Sequence, residues 1–555
     1  MRAPLFLALM LSAAPAVALE MSGGYLANPT AYIPSQCYTV TEEAGANGTG
    51  RVHNPCFTCH VRPRAPHYLN DADLQTEYSL PGPALENPWT NLFVDRSAAV
   101  DAVTDDDILA WVRRDNYRVG GRIALAERLA DLPPEWDADG DGEWSGYVPD
   151  AWFAFDDEGF DRSPEGGYTG WRAFAYQPLP GAFWPANGSA DDVLIRLPAA
   201  FREDAAGRFD LGIYKANLAI VEALITRTDV PVPGLDEAAL GVDLDRDGVL
   251  GRADVVRFAF APLRGETMHY VGRAGAEDRA LAAGLYPQGT EFLHSVRYLD
   301  VTETGVGMAA RMKELRYMQK TRWQSYYDRE TAALAEAKER ADFPDRIRHL
   351  LGDAERGIPN GYGWRLQGFI EDAAGDLRPQ DFEETAFCIG CHGGVGVTDD
   401  DTFAFPRKLG ADAFRGGWYH WTQKGLAGTP ERPRADGTGE YAHYLRVNGA
   451  GDELRGNAEI IRAWIDGDTA PAAPDSPARL KPGRAEALAE DISTLLLPSP
   501  ERALRLDAAY REIVRAQSFR LGRDATITPQ TNVHRVLEQG QPTGVTRIEK
   551  PWFRP

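Results

Sequence analysis

The chain has 555 residues, a hydrophobic fraction of 43% and a formal net charge of −23 at pH 7. This length predicts about two to four domains, and the hydrophobic fraction is that of an ordinary folded protein. The acidic surface argues against binding to nucleic acid or to anionic membranes. It suits a basic partner, although plain solubility would explain it equally well.

The first 18 residues have the pattern of a secretory signal peptide. Arg2 precedes a short apolar run from Leu5 to Leu11, and Ala16-Val17-Ala18 is typical of a cleavage site. The run is far shorter than the ~20 residues that span a bilayer, and no later segment is long and apolar enough. We therefore expect a periplasmic protein without a membrane span. Cys37 lies too far from the cleavage region for lipid attachment, which argues against a lipoprotein.

Residues 19–100 are rich in proline, asparagine and glycine, which predicts a loop-rich segment. This segment contains Cys56-Phe57-Thr58-Cys59-His60, and Cys-x-x-Cys-His is the attachment signature of c-type haem. Two thiols at this spacing can reach the two vinyl groups of one porphyrin, and the next residue can ligate the iron. The sequence thus predicts an N-terminal haem-binding segment in which Cys56 and Cys59 attach the haem and His60 is its proximal ligand.

Residues 101–290 are predicted to form an intervening domain. Helices are expected within 105–132 and over 211–228, and the aromatic stretch 147–197 reads as irregular or short-strand structure. The acidic triplet that starts at Asp105 is typical of a helix N-terminus.

An acidic loop in this domain follows the ligand scheme of an EF-hand calcium loop. The carboxylates, the carbonyl and the final carboxylate would come from positions 1, 3, 5, 7 and 12, which are Asp243, Asp245, Asp247, Val249 and Asp254. An acidic turn without a metal is the alternative. We expect a structural calcium ion here.

A second, weaker loop begins with Asp137, Asp139, Asp141 and Glu143. Its twelfth position is Val148, so the bidentate ligand is either missing or supplied by Asp150.

Residues 291–480 are predicted to form a second cytochrome c-like haem domain. Met312, Leu315 and Met318 repeat at helical spacing, which predicts a helix over 308–340. The second motif, Cys388-Ile389-Gly390-Cys391-His392, follows. Cys388 and Cys391 would attach the second haem, with His392 as its proximal ligand. A disulfide hairpin, a redox Cys-x-x-Cys pair or half of a zinc site would explain the cysteines, but not the histidine in both copies.

Residues 481–555 are predicted to form a C-terminal helix and an extended strap. Together the segments predict a mainly α-helical, multidomain cytochrome c-like fold with extensive irregular loops organised by haem.

The second axial ligand of each haem would decide its reactivity. The candidates are His67, His294, His420 and Cys37. His294 and His420 have aromatic neighbours that could line a haem pocket, whereas His67 lies close to the first motif. Cys37 is the odd cysteine, so an inert buried thiol, an axial thiolate, and an intermolecular disulfide or reactive thiol all stay open.

The two motifs, together with the stretches Glu291 to Tyr298, Arg311 to Met318 and Phe387 to Gly396, resemble those of periplasmic dihaem cytochromes c. A weaker similarity is to the dihaem cytochrome c peroxidase and MauG superfamily, which has two c-haems with calcium between them. The separation of 332 positions between Cys56 and Cys388 is much larger than in that superfamily, so no catalytic residue is transferred.

The resemblance implies two haem c groups that transfer electrons to a redox partner, which the acidic surface suggests is basic. The alternative is a dihaem peroxidase or oxidase with one five-coordinate haem, because the chain is much longer than a simple carrier needs.

Overall fold

The computed structural model describes residues 19–43, 51–181, 184–410, 414–449, 457–466 and 478–549. It is 32% helical with 20% of residues in strands, and an antiparallel sheet of nine strands dominates the described residues. The prediction of a mainly α-helical, cytochrome c-like fold is therefore wrong. The predicted signal peptide, residues 1–18, lies outside the described residues.

The strands of the described chain vary from two-residue pairs to the long β14–β15 hairpin. They are β1 (Glu42–Glu43), β2 (Arg51–Val52), β3 (Glu77–Tyr78), β4 (Arg118–Val119), β5 (Arg122–Ile123), β6 (Phe160–Arg162), β7 (Tyr168–Ala173), β8 (Ala190–Asp191), β9 (Leu194–Arg196), β10 (Val230–Asp236), β11 (Arg252–Val256), β12 (Phe260–Ala261), β13 (Glu266–Thr267), β14 (Glu291–Thr302), β15 (Gly305–Lys320), β16 (Ile358–Pro359), β17 (Trp364–Glu371), β18 (Leu377–Pro379) and β19 (Gln541–Pro542).

The helices are mostly short. They are α1 (Ser97–Asp101), α2 (Asp105–Arg113), α3 (Ala124–Ala130), α4 (Leu211–Thr226), α5 (Glu237–Leu240), α6 (Gly272–Ala276), α7 (Tyr326–Asp342), α8 (Phe382–Ala386), α9 (Ile389–His392), α10 (Ala404–Arg407), α11 (Trp421–Lys424), α12 (Glu440–Asn448), α13 (Ala458–Trp464), α14 (Arg484–Glu490), α15 (Ser493–Leu496) and α16 (Pro500–Ala516).

The large sheet joins segments that the sequence suggested were separate. Its strand order is β16-β17-β15-β14-β9-β7-β6, with β18 paired to β17 and β8 paired to β14. Strands β6 to β9 come from the predicted intervening domain, 101–290, and β14 to β18 come from the predicted second haem domain, 291–480. These two parts of the chain therefore share one sheet.

The predicted helix over 308–340 is wrong in its first half. Residues 305–320 form strand β15 in the middle of the sheet, and the helix begins only at Tyr326. The alternation of polar and apolar residues that marks a half-exposed strand is missing, because charged residues of β15 are buried. Arg311 and Lys320 are fully buried in ion pairs, and the equally buried Lys313 donates to the Gly188 carbonyl at 2.6 Å. Because this strand is covered on both faces but carries charged residues, its sequence pattern resembles that of an amphipathic helix.

Two other predicted helices are confirmed. Helix α2 begins after Thr104, whose hydroxyl accepts a hydrogen bond from the Asp107 amide. Helix α4 begins after Asp210, which caps the Ile213 amide at 2.9 Å. Most of α4 is buried, and its apolar side chains pack in one core with Phe292 and Met318 of the sheet.

The C-terminal residues lie against the N-terminal segment. Strand β19 pairs with β3, and Val533 forms an isolated bridge with Thr39. Among the described residues, no helix has both the length and the hydropathy needed to cross a membrane.

Candidate cofactor site

A cavity of about 350 Å³ opens between the central strands, the N-terminal segment and the region after β18, and both Cys-x-x-Cys-His motifs line it. Its volume falls within the ~300–1,000 Å³ of small-molecule and cofactor pockets. Residues that lie 332 positions apart in the chain are therefore brought to the walls of one cavity.

The walls of the cavity are mainly apolar and aromatic, with a minority of charged groups. The aromatic residues are Tyr78, Phe174, Tyr176, Trp184, Phe292, Tyr317, Phe387, Phe403 and Tyr510. The cationic residues are Lys313, Arg316, Arg407 and Arg523. Apolar walls with a few convergent polar groups are typical of a cofactor site.

The first motif is held by local side-chain hydrogen bonds. Pro55–Thr58 forms a 3-10 turn, and the Asn54 side chain accepts a hydrogen bond from the Cys56 amide at 3.1 Å. The Nδ1–H of His60 donates to the Asp71 carboxylate at 2.8 Å. This bond fixes the tautomer, so that Nε2 carries no proton in the neutral imidazole.

The second motif follows the capped helix α8 and extends into α9. The Nδ1–H of His392 donates to the backbone carbonyl of Asp401 at 2.8 Å, and Asn360 donates to the carbonyl of His392 at 2.7 Å. Burial lowers the pKa of His392 to about 4, so its imidazole is neutral at pH 7. A neutral imidazole is the form that ligates metals.

The two motifs are joined directly by backbone contacts. The Val397 amide donates to the carbonyl of Cys59 at 3.0 Å. Asp71, which already holds His60, also accepts from the Gly396 amide at 3.3 Å. Position 396 suits glycine because a side chain there would collide with the Val61 carbonyl and with Asp71. The segment after the second motif is thus packed onto the first.

Two of the candidate axial residues line the cavity. Cys37 lies near cysteines of both motifs; burial raises the pKa of its thiol well above the usual value, and Cys56, Cys59 and Cys391 raise it further. His294 pairs with Asp191 at 2.9 Å, and it is near enough to His392 to lower the pKa of that residue.

The other two candidate axial residues lie away from the cavity walls. His420 has Nε2 3.0 Å from the Asp192 carboxylate and Nδ1 2.8 Å from the Thr422 hydroxyl. His67 is buried, and burial lowers its pKa. Its Nε2 has no hydrogen-bond partner within the described ranges.

The thiols and imidazoles of the cavity do not converge on a single ion. In the part of the chain that the structure describes, the groups of three histidine, cysteine or acidic ligand atoms within 4.8 Å of one another are two acidic clusters elsewhere. A mononuclear zinc site, which needs three or four converging ligands, does not fit these distances. The donor set of two thiols and one imidazole per motif fits a larger planar group such as a porphyrin.

The carboxylates that cluster at the first acidic loop differ in part from the predicted calcium ligands. Asp243 and Asp245 cluster with Glu237, which precedes the loop, rather than with Asp247 or Asp254. Asp247 accepts from the Val249 amide at 2.8 Å, and Asp254 is exposed on β11. Glu237 was missed because it lies outside the twelve-residue pattern.

The second acidic loop brings Asp137, Asp139 and Asp141 together. The Asp137 carboxylate accepts from the Gly140 amide at 2.7 Å and from the Gly142 amide at 2.9 Å, and Glu143 is exposed. Arg356 forms an ion pair with Asp139.

Arg356 therefore already neutralises part of the negative charge of the second loop. Asp150, the alternative final ligand of that loop, pairs with Arg196 outside the loop at 2.5 Å.

Comparison with known proteins decides the family of the chain. A family model with the description "-like lipoprotein" matches residues 21–489. A protein of Aquifex aeolicus (strain VF5) with the name "Uncharacterized lipoprotein" is 34% identical over 535 residues, which covers 90% of this chain and 86% of that protein. The chain belongs to this lipoprotein family. No solved structure matches it.

Membership of the lipoprotein family corrects three sequence-based predictions. The resemblance to periplasmic dihaem cytochromes c and to the dihaem peroxidase superfamily is overturned, because the matches cover most of the chain and point to a lipoprotein family. The electron-transfer function, and the peroxidase or oxidase alternative drawn from that resemblance, are withdrawn with it. The expectation that the chain is not a lipoprotein was also wrong. Two five-residue motifs specify local chemistry, but they do not specify a family or a fold.

Proposed function

We propose that this lipoprotein-family chain binds two haem c groups in one cavity and that it works in the periplasm. Cys56 and Cys59 would attach one group and Cys388 and Cys391 the other. The observation that carries the proposal is that both motifs line the same apolar cavity, each with the Nδ1 of its histidine engaged.

Attachment requires only the thiols of the motifs. Each thiol adds across one vinyl group, forming a carbon–sulfur bond while its hydrogen goes to the other vinyl carbon. No oxidant or reductant is consumed. When bound, haem supplies an iron centre whose properties depend on its axial ligands and surroundings.

The remaining residues of the cavity would orient and shield the bound groups. His60 and His392 supply imidazoles whose tautomers are set by Asp71 and by the Asp401 carbonyl. Among the candidate second ligands, the cavity walls favour His294 and Cys37 over His67 and His420. The cationic residues of the walls would supply positive charge near the propionates, while Arg316 and Arg523 stay paired with Glu314.

Paired motif variants test this proposal. We expect that Cys56→Ala with Cys59→Ala, or Cys388→Ala with Cys391→Ala, reduces covalent haem from two groups per chain to one. Haem absorbance after alkaline pyridine treatment of the purified, full-length protein measures the number. Ser79→Ala is the control, since Ser79 lines the cavity outside both motifs, and this variant should keep two groups. Unchanged haem content in both double variants would contradict the proposal.

We also propose a structural calcium ion at the loop of Asp243, Asp245 and Glu237. The regular spacing of carboxylates and the clustering of these three support it. Glu237 also accepts from the Leu244 amide at 2.6 Å and from the Gly251 amide at 2.9 Å, so it lies at the base of the loop.

Removal of calcium is expected to lower the melting temperature. A ligand present at 100 times its Kd stabilises the folded state by about 2.7 kcal/mol, and a chelator should abolish this gain. Scanning calorimetry with calcium and with EDTA measures the shift, which Asp243→Asn should remove. Asp101→Asn, at an exposed position outside both acidic loops, is the control and should retain the shift. A wild-type melting temperature that is indifferent to both additives would contradict the calcium site.

A further inference from the structure

A tight turn beside the second motif has an unusual backbone. The amides and carbonyls of Asp399 and Thr402 exchange two hydrogen bonds of 3.0 Å. Asp400 and Asp401, at the two central positions, have φ angles of 48° and 61°. Two positive φ angles at these positions define a type I′ turn, which favours glycine or asparagine. Each left-handed non-glycine residue costs roughly 1–2 kcal/mol.

Two buried cations hold the carboxylates of this turn. Lys320 at the end of β15 lies 2.5 Å from Asp400, and Arg329 of α7 lies 3.0 Å from Asp400 and 3.0 Å from Asp401. The side chains of all four residues are at most 2% exposed. The second carboxylate oxygen of Asp400 accepts from the Tyr286 amide at 2.9 Å. An unfavourable backbone persists when its surroundings over-determine it in this way.

The turn places the backbone carbonyl of Asp401 beside the imidazole of His392. The same Asp401 whose side chain binds Arg329 presents its backbone carbonyl to Nδ1 of His392 at 2.8 Å. Glycine would form this turn with less strain, but it could not form the ion pairs. The choice of two aspartates therefore links the backbone of the turn to buried cations on β15 and α7.

We propose that Lys320, Arg329, Asp400 and Asp401 are positioning residues for His392. By clamping the turn, they fix the imidazole orientation and keep Nε2 available on the cavity side. This inference rests on the proposed haem attachment, because it assigns the clamp to the ligand of the second motif. Hydrogen bonds of this kind orient ligands and tune the bound metal.

EPR spectroscopy of the oxidised, haem-loaded, full-length protein tests the clamp. We expect Arg329→Met to shift the EPR signature of one of the two haems, and Arg329→Lys to restore it in part. Asp401→Gly, which suits the positive φ, should give the same shift and serves as the second variant if Arg329→Met does not fold.

Arg311→Met is the matched control, because Arg311 is an equally buried arginine on β15 whose ion pair does not involve the turn. It should leave both haem signatures unchanged. Hydrogen exchange adds a readout that does not depend on haem. Relative to the slowest-exchanging amides of the same variant, which report global unfolding, amides of residues 399–402 should exchange at least about tenfold faster in Arg329→Met, equivalent to ~1.4 kcal/mol of opening free energy, but not in Arg311→Met.

Three results would overturn the inference: an unchanged signature in both Arg329→Met and Asp401→Gly, an equal shift in Arg311→Met, or unchanged exchange at residues 399–402. If the haem proposal itself is wrong, the purified wild-type protein will contain no covalent haem, which is a separate result from any effect of these variants.

Discussion

Replacement of Arg311 by methionine should lower the free energy of unfolding by about 3–5 kcal/mol, since removal of one partner leaves a buried charge without compensation. Arg311 and Glu371 are both 0% exposed, and the guanidinium donates to the carboxylate at 2.6 Å. The guanidinium also donates to the Gly375 carbonyl at 2.6 Å and lies 3.7 Å over the ring of Trp111. Urea unfolding at pH 8 measures the change.

The loss should be smaller at pH 5 than at pH 8. Burial raises the pKa of Glu371 to about 7, so this carboxyl is largely protonated at pH 5 and less dependent on its partner. Arg113→Met is the control, because Arg113 pairs with Asp300 at 2.8 Å but is 49% exposed. An exposed pair contributes about 0–1 kcal/mol. Equal unfolding midpoints for the two variants would contradict the importance of the buried pair.

Replacement of Asp507 by asparagine should change how stability depends on pH. Asp507 is fully buried on α16, accepts from the Leu299 amide at 3.3 Å, and lies 4.0 Å from the Lys313 ammonium. Burial outweighs this cation and raises the pKa of Asp507 to about 8. The folded state therefore holds a proton that the unfolded chain releases near its ordinary pKa of about 3.9.

The sign of the effect follows from this raised pKa. The contribution of Asp507 to stability is fully present below about pH 4, and it is lost as the pH rises through about 8, by at most ~1.4 kcal/mol per pH unit. Asparagine carries no titrating proton, so the stability of Asp507→Asn relative to wild type should rise across this range. Urea unfolding of both proteins at several pH values measures this difference in stability. Asp101→Asn, at an exposed position, is the control. Parallel curves for wild type and Asp507→Asn would contradict the prediction.

Residues of the cavity wall could be picked out from the sequence one motif at a time, whereas the contacts between distant motifs could not. The spacing of Cys56, Cys59 and His60 identified residues that line the cavity, because that pattern depends on five consecutive positions. That Cys388 lines the same cavity depends on contacts between distant segments, such as the bond from Val397 to Cys59. No local pattern reports such a contact.

The central sheet was missed for a related reason. Strand β15 carries Arg311, Lys313 and Lys320, and each of these is buried only because a partner arrives from another element. A charged residue in a sequence is read as exposed unless its partner is known. The hydrogen-bond acceptors of the motif histidines, Asp71 and the Asp401 carbonyl, were not predicted for the same reason. The run of three aspartates from 399 to 401, close behind His392, could have indicated the second of them.

The most direct test of the central claim is the intact mass of the mature protein, expressed in cells that attach haem c, together with the masses of its proteolytic peptides. Two covalent haems are predicted, one on the peptide that contains Cys56 and Cys59 and one on the peptide that contains Cys388 and Cys391. A protein that carries the mass of its polypeptide alone would contradict the claim.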